Sequence, residues 1–546
     1  MDQNPEVAFP KLTKAELAFV RPLATVREYA DGECVFRAGQ ADIDLIIVES
    51  GELEMRIPRD SQRVVAVHAA GQFAGDIDLL TGRPVIVNAV ARGPTRVLCI
   101  PGSQLRTLLN RVPSFGEKLI VAFITRREML SRSGVIGLRV VGAARCRDTN
   151  TVREFLYKNF VPFTWFAPES IEGQTVLAMA SGEKRPVVEC SDGRILMNPS
   201  LRDLADAAGI WQHCPSQECD FAIVGAGPAG IAAAVYAASE GLSTLMLDRL
   251  GPGGQAGGSS RIENFIGFPA GLSGAELATR GVLQMLKFGA RMVAPVEVES
   301  LTPAATPDGL HTLRLDCGAE IHCRVVLLAL GVHWRRLEAQ GADRFDGAGI
   351  YYACTTVEAD IYENADVAVI GGGNSAGQAV MFLAECCRNR KVHLFIRRDL
   401  GPGMSEYLAS RVRNTENVVI HEHSEVVAVC GNQRLEQVDV RNNETGLQTR
   451  LSCAAIFVFI GAEPTGHWLP KELARDSNGY LLTGVDAVNT GQWPRTDRDP
   501  CPLETTIPGV IAAGDIRSGS TKRVGFAVGD GSLAVTCAHR LLSIGR

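Results

Sequence analysis

Asp220-Phe221-Ala222-Ile223-Val224-Gly225-Ala226-Gly227-Pro228-Ala229-Gly230 is the stretch from which the fold is read. Its apolar run fits a buried strand, the Ala-rich segment IAAAVYAASEG after it fits a helix, and TLMLD, ending at Asp248, fits a second strand. The three glycines have separate tasks: a tight turn, close approach of backbone to a pyrophosphate, and close packing of helix on strand. The helix N-terminus adds free N–H groups and a positive dipole for the phosphates. Asp248 follows Gly230 by 18 residues, near the roughly 20 expected for an acid that binds a ribose hydroxyl. Gly225, Gly227, Pro228, Ala229, Gly230 and Asp248 therefore read as an adenine dinucleotide site.

A second copy lies about 145 residues further on. Val367-Ala368-Val369-Ile370 leads into Gly371-Gly372-Gly373-Asn374-Ser375-Ala376, a helical segment and the strand KVHLFI. Arg397 and Arg398 stand where an acid would read a free 2′-hydroxyl. Two guanidiniums suit a 2′-phosphate, which favours NADPH and leaves NADH as the alternative. Two dinucleotide sites in one chain imply a flavin with a nicotinamide, and hence hydride transfer.

The order of these units resembles the thioredoxin reductase family over residues 218–546. Gly253-Gly254-Gln255 and Glu263-Asn264-Phe265-Ile266-Gly267-Phe268-Pro269 resemble its flavin-contacting loop, with Gly254, Gln255 and Asn264 as contacts. Thr505 to Asp515 (TTIPGVIAAGD) resembles its closing signature, in which Gly514 precedes the acid, here Asp515, that binds the flavin ribityl chain. Arg523 and Val524 stand at its isoalloxazine contacts. The resemblance implies FAD and NADPH as cofactors, a homodimer, and an NADPH domain (336–459) inserted into an FAD domain (218–335 and 460–546), with crossovers near Gly331 and Gly461. Where the family carries a redox C-x-x-C followed by an acid, this chain reads Cys354-Thr355-Thr356-Val357-Glu358. The first sulfur is present and the second position is Val357. One thiol can form a mixed disulfide but closes no intramolecular bridge with that partner. Glu358 falls at the family's general acid. Cys354 is either a thiol nucleophile or a small buried side chain. This segment is similar to the cysteine-free branch of thioredoxin reductase-like flavoproteins, whose N-terminal extension is a cyclic nucleotide-binding domain.

Residues 10–132 alternate short β-type runs with Gly turns, Cys34 to Phe36, Leu45 to Val48 and Gly51 to Met55 among them, which predicts a β-barrel or jelly roll. The pattern resembles the cyclic nucleotide-binding fold. Its phosphate cassette reads Gly75-Asp76-Ile77-Asp78-Leu79-Leu80-Thr81-Gly82-Arg83-Pro84-Val85, with Val85 where the family places the phosphate arginine. A buried phosphate without a cation is costly, so the cassette argues against cyclic nucleotide binding unless Arg83 substitutes. Arg126-Arg127 to Arg132 reads as a solvated helix end.

Residues 137–212 follow a β-α-β, β-β-α order with a turn signal at Ser191-Asp192-Gly193. This resembles a glutaredoxin-like, thioredoxin-fold α/β domain, with Pro186 at that fold's cis-proline. The active-site turn would be Cys146-Arg147-Asp148-Thr149, again with only the first cysteine. A helix N-terminus with Arg145 and Arg147 would favour the Cys146 thiolate. Cys146 is either redox-active or the remnant of such a site.

The 546 residues, 46% hydrophobic and 21% charged, suffice for several cores. The net charge of −6 argues against a dedicated nucleic-acid binder. No apolar run approaches the ~20 residues of a membrane span, and the N-terminus has no signal pattern, so a cytoplasmic protein is expected. Fifteen scattered cysteines with no C-x-x-C argue against a secreted disulfide framework and a Cys-rich metal site. Cys386-Cys387 reads as a pair of buried helical thiols. Two function classes stay open: an FAD-dependent NAD(P)H oxidoreductase with a small-molecule or protein-disulfide acceptor, reached directly or through Cys354 or Cys146, and a slow redox or ligand sensor.

Overall fold

Gln217–Val224 takes the centre of a parallel sheet because Phe221 to Val224 present apolar side chains to both faces, all of them buried. It pairs in parallel with Thr244–Leu247 on one side and with Glu320–Leu328 on the other. A parallel pair needs a crossover, supplied by the Pro228–Ser239 helix. Small residues let that helix lie close: a side chain at Gly230 would put its Cβ 1.9 Å from Gly225 O. Val510–Ala512, from near the end of the chain, pairs with Glu320–Leu328 and completes the same sheet. The computed structural model describes residues 5–544 except 59, 134–136, 145, 183, 211–215, 260, 307–308, 355, 402, 433 and 465.

The segment between the two parts of this sheet builds a second parallel sheet. Val367–Ile370 lies at its centre, between Val392–Phe395 and Ala455–Val458. The chain enters and leaves this unit through Val332–Trp334 and Ala462–Pro464, which pair as an antiparallel ribbon. Gly331 and Gly461, at φ +64° and +98°, make the turns that start its two strands.

The N-terminal unit is a β-barrel whose long strands are Leu45–Ile57, Asp60–Ala69 and Asn88–Ile100. The two runs expected around Gly51 form one strand, because Gly51 at φ +83° sits in a bulge rather than a turn. In the helix Pro113–Ser133, Arg126 and Arg127 correct the expectation of a solvated end, while the side chain of Arg132 lies outside the described residues. Arg126 and Arg127 are only 6% and 8% exposed. Arg126 lies on the Phe73 ring at 4.5 Å and donates to Ala8 O and Gly75 O at 2.7 and 2.6 Å. Arg127 bridges Asp76 and Asp78, each at 2.7 Å. Buried guanidiniums need such partners, and these come from residues distant in sequence.

The middle unit has the thioredoxin fold. Leu138–Val141 runs parallel to Phe163–Phe166 and antiparallel to Val187–Glu189, which turns at Gly193 into Ile195–Met197. Its helices are Arg147–Lys158, Ile171–Leu177 and Leu201–Ala207, the last opened by a Ser200–Asp203 capping box. The Arg185-Pro186 peptide is cis. A further correction concerns the adjacent thiols. Cys386 is exposed at the end of the Asn374–Cys386 helix and Cys387 is its half-buried cap, because the apolar face of that helix ends before them.

Two buried histidines make this fold acid-sensitive. Burial pushes His68 down to about 3, with help from Arg126, and His311 down to about 4, against Glu504. Both are therefore neutral when folded, while the unfolded chain takes up protons below about 6.5. Stability is full above that pH and falls as pH drops toward 4, by up to about 1.4 kcal/mol per pH unit for each group. His68→Phe is expected to reduce the loss of melting temperature between pH 6.5 and 4, measured by circular dichroism; an unchanged loss would contradict this.

Candidate functional site

Both glycine turns lie where parallel strands end. At Gly225, φ is +108° and a Cβ would stand 2.3 Å from Ala329 O, so only glycine passes. Gly227 caps the Pro228–Ser239 helix. Gly254 faces it so closely that its own Cβ would fall 2.9 Å from Gly227 Cα. The backbone of two loops thus borders one space with no side chain between them, and Ala229 lines it from the helix. Asp248, expected to read a ribose, lines this space but also ties the loops together. Its Oδ2 accepts from Ala226 N–H at 2.8 Å, and its Oδ1 from Leu250 and Gly251 N–H at 2.9 and 2.8 Å.

The second turn repeats the first. Gly371 has φ +140° and a Cβ there would meet Phe459 O at 2.4 Å. Gly373 caps the Asn374–Cys386 helix, and Asn374 Oδ1 accepts from Ser405 N–H at 2.8 Å. Ala376 is fully buried, and the close-packing glycine is the next residue, Gly377, where a Cβ would be 2.7 Å from Met404 Sδ. The sequence signal for it was present as G-G-G-N-S-A-G. Arg397 and Arg398 are exposed just beyond Val392–Phe395. Arg397 stands 3.5 Å from Glu425, and Arg398 has no ion pair among the described residues.

One cavity of about 1860 Å³ joins the two motifs. Its wall runs from Gly225 and Gly227 past Gln255 and Asn264 to Gly514, Asp515, Arg523 and Val524, and reaches Asn374 and Ser375 of the second sheet. Gln255 Nε2 donates to Val332 O, linking the flavin-type loop to the crossover ribbon. Burial raises the half-buried Asp515 carboxyl above its ordinary range, opposed by Lys522 and reinforced by Asp530. Val524 opens the 21-residue helix Val524–Ile544, so the wall there includes a helix N-terminus. These features suit a long anionic dinucleotide: glycine backbone for a pyrophosphate, a helix start, and apolar walls.

Cys354 is buried in the same wall, with its backbone bridged to Ser259. The side chains of Val357 and Glu358 lie outside the described residues, as does Arg145. Cys146 caps the Arg147–Lys158 helix, is half-buried and does not line the cavity, so it is not brought to Cys354. Sequence reading missed the opposite wall. Asn150, Arg153, Glu154 and Tyr157 line the cavity from one face of the Arg147–Lys158 helix, a spacing visible in the sequence but without a known target. It also missed a basic group at the crossover: Arg249, His333, Arg336 and His467 line the cavity, and burial followed by the three neighbouring basic groups lowers His333.

Val85 is buried among apolar side chains. Arg83 lies within reach of the charges of Asp76, Asp78 and Arg127, and its Nη1 donates to Asn159 O of the middle unit at 2.5 Å. No group of metal-ligating side chains and no helix long and apolar enough to cross a membrane occurs among the described residues.

Residues 219–531 match the family model of the pyridine nucleotide-disulphide oxidoreductases, and residues 26–112 match that of the cyclic nucleotide-binding domain. The chain is 31% identical to NADPH-dependent thioredoxin reductase 3 of Arabidopsis thaliana, over 59% of this chain and 58% of the relative, and so spans little more than half of that relative's length. It is also 31% identical to the thioredoxin reductase of Treponema pallidum, over 58% of this chain and 95% of the relative. The Lactococcus lactis thioredoxin reductase structure superposes at a TM-score of 0.52 and 26% identity, over 60% of this chain and 99% of that one. With two glycine turns, a ribbon of crossovers and one shared cavity, the chain belongs to the pyridine nucleotide-disulphide oxidoreductases, an enzyme family of the thioredoxin reductase type with FAD and NADPH as cofactors.

Proposed function

We propose that this chain oxidises NADPH through FAD and delivers the electrons to an external acceptor without closing a disulfide at Cys354. The observation that carries the reading is a single cavity lined by the first glycine turn, by Asn374 and Ser375 at the helix start after the second, and by Cys354, with Val357 at the partner position. FAD, when bound, takes up the hydride of NADPH and passes on its two electrons.

In this reading Gly225, Gly227, Pro228, Ala229 and Gly230 hold the FAD pyrophosphate on backbone N–H groups, and Asp248 holds the turn together while facing the ribose. Gly254, Gln255 and Asn264 border the flavin, Gly514 and Asp515 its ribityl chain, and Arg523 and Val524 the ring end at a helix N-terminus. A helix start there stabilises negative charge that develops on reduction. Gly371, Gly373, Asn374, Ser375 and Ala376 form the NADPH turn, with Arg397 and Arg398 for the 2′-phosphate.

A protein disulfide as acceptor asks for two sulfurs. The Cys354 thiolate would break the acceptor's S–S bond and form a mixed disulfide, whose release needs a second thiol that position 357 does not supply. A small acceptor entering the cavity needs neither. The basic wall of Arg249, His333, Arg336 and His467 favours one that is anionic or becomes so on reduction. For the barrel we propose no cyclic nucleotide, because Val85 offers no charge and Arg83 already meets Asn159 O and the cassette acids.

NADPH is expected to bleach the flavin of the holoprotein within seconds in the absence of oxygen, and an added acceptor to restore the colour. No bleaching by either nicotinamide would overturn the reading. Gly225→Ala should yield protein with at least tenfold weaker FAD binding, whereas Gly371→Ala should retain FAD and lose NADPH bleaching. Arg398→Ala should raise KM for NADPH about tenfold, as expected for losing about 1.4 kcal/mol of a charge-assisted contact, and leave KM for NADH unchanged in steady-state assays. Cys354→Ala should keep the bleaching rate within about twofold, since the thiol has no part in hydride transfer.

A further inference from the structure

A line of hydrogen bonds leads from the barrel cassette into the FAD turn. Arg83, two residues before Val85, donates to Asn159 O at 2.5 Å. Asn159 is the fully buried C-cap of the Arg147–Lys158 helix. Its Nδ2 donates to Phe155 O at 2.9 Å, within its own helix, and to Leu250 O at 2.8 Å, across to the FAD unit. Leu250 and Gly251 in turn donate to Asp248, whose second oxygen holds Ala226 inside the first glycine turn. Gly251 has φ +148°, and a Cβ there would lie 2.7 Å from Asn159 Nδ2. The loop has to be glycine at the point where the Asn159 amide enters.

The cassette is built to hold its end of this line. The acids Asp76 and Asp78 meet Arg127 at 2.7 Å each, and Arg127 also donates to Phe160 O at 3.4 Å, the residue after Asn159. Two arginines from the barrel thus grip consecutive carbonyls at the end of one helix. The other end of that helix reaches the NADPH unit, where Asn150 Nδ2 donates to Gly347 O at 3.1 Å and Arg147 packs on Gly347.

We propose that Asn159, held by Arg83, is a positioning residue for the FAD-binding turn. Through Leu250, Gly251 and Asp248 it fixes Ala226 and hence the N–H groups that face the pyrophosphate. The cassette, a ligand-binding element elsewhere, here serves as an internal clamp on the flavin site. The proposal rests on FAD occupying the Gly225 turn.

FAD dissociation from the holoprotein, followed by flavin fluorescence, tests it. A buried carbonyl that loses its donor costs enough for a shift of about tenfold or more. Asn159→Ala is expected to raise the Kd for FAD about tenfold or more, and Arg83→Met several-fold, with Arg83→Lys recovering part of the loss. KM for NADPH, measured with FAD saturating, should stay unchanged, since the Gly371 turn is untouched. Arg139→Met removes a 2.9 Å ion pair to Glu189 inside the middle unit and controls for simple destabilisation; its Kd for FAD should stay within twofold of the parent. Asn159→Ala and Arg83→Met proteins with parental FAD affinity would overturn the relay alone, as would an equal loss in Arg139→Met. A parent protein without measurable FAD affinity would overturn the relay together with the reading beneath it.

Discussion

A backbone turn with no room for a side chain governs this molecule. At Gly225 the chain passes within 2.3 Å, as measured from an added Cβ, of Ala329 O on the neighbouring strand's extension, and at Gly371 within 2.4 Å of Phe459 O. Each contact joins the end of a central parallel strand to the end of the strand beside it. Each therefore exists only if the register of that pair is kept. The turns direct two helix starts toward one cavity, and the antiparallel ribbon between Val332–Trp334 and Ala462–Pro464 keeps the two sheets facing it.

Local features were legible in the sequence. The strand, glycine and helix order at 220–248 and at 367–395 depends on neighbours a few residues away, and the structure repeats it element for element. The middle unit was readable for the same reason, since its strand and helix order admits few topologies. The ends of the ribbon could be placed from Gly331 and Gly461, each just after an apolar strand.

Features that depend on distant partners were not legible. Arg126 and Arg127 look like a solvated helix end until Phe73, Asp76 and Asp78 are placed against them. Arg83 looks like a displaced phosphate ligand, yet its partner Asn159 lies 76 residues away. Asp248 has the spacing of a ribose acid, and nothing in that spacing shows that three backbone N–H groups already converge on it. In each case a charged side chain is held by backbone carbonyls, N–H groups or acids that only the tertiary fold brings near, and periodicity carries no trace of them.

Among the described cysteines, the one that lines the cavity is Cys354, and the position three residues on is Val357. In the proposed function the flavin is therefore the sole redox centre. An anaerobic titration of the holoprotein with NADPH, followed by flavin absorbance, tests this most directly. Complete reduction at one equivalent of NADPH per FAD, two electrons in all, is the predicted result. An endpoint at two equivalents per FAD would reveal a redox-active disulfide beside the flavin and contradict the account.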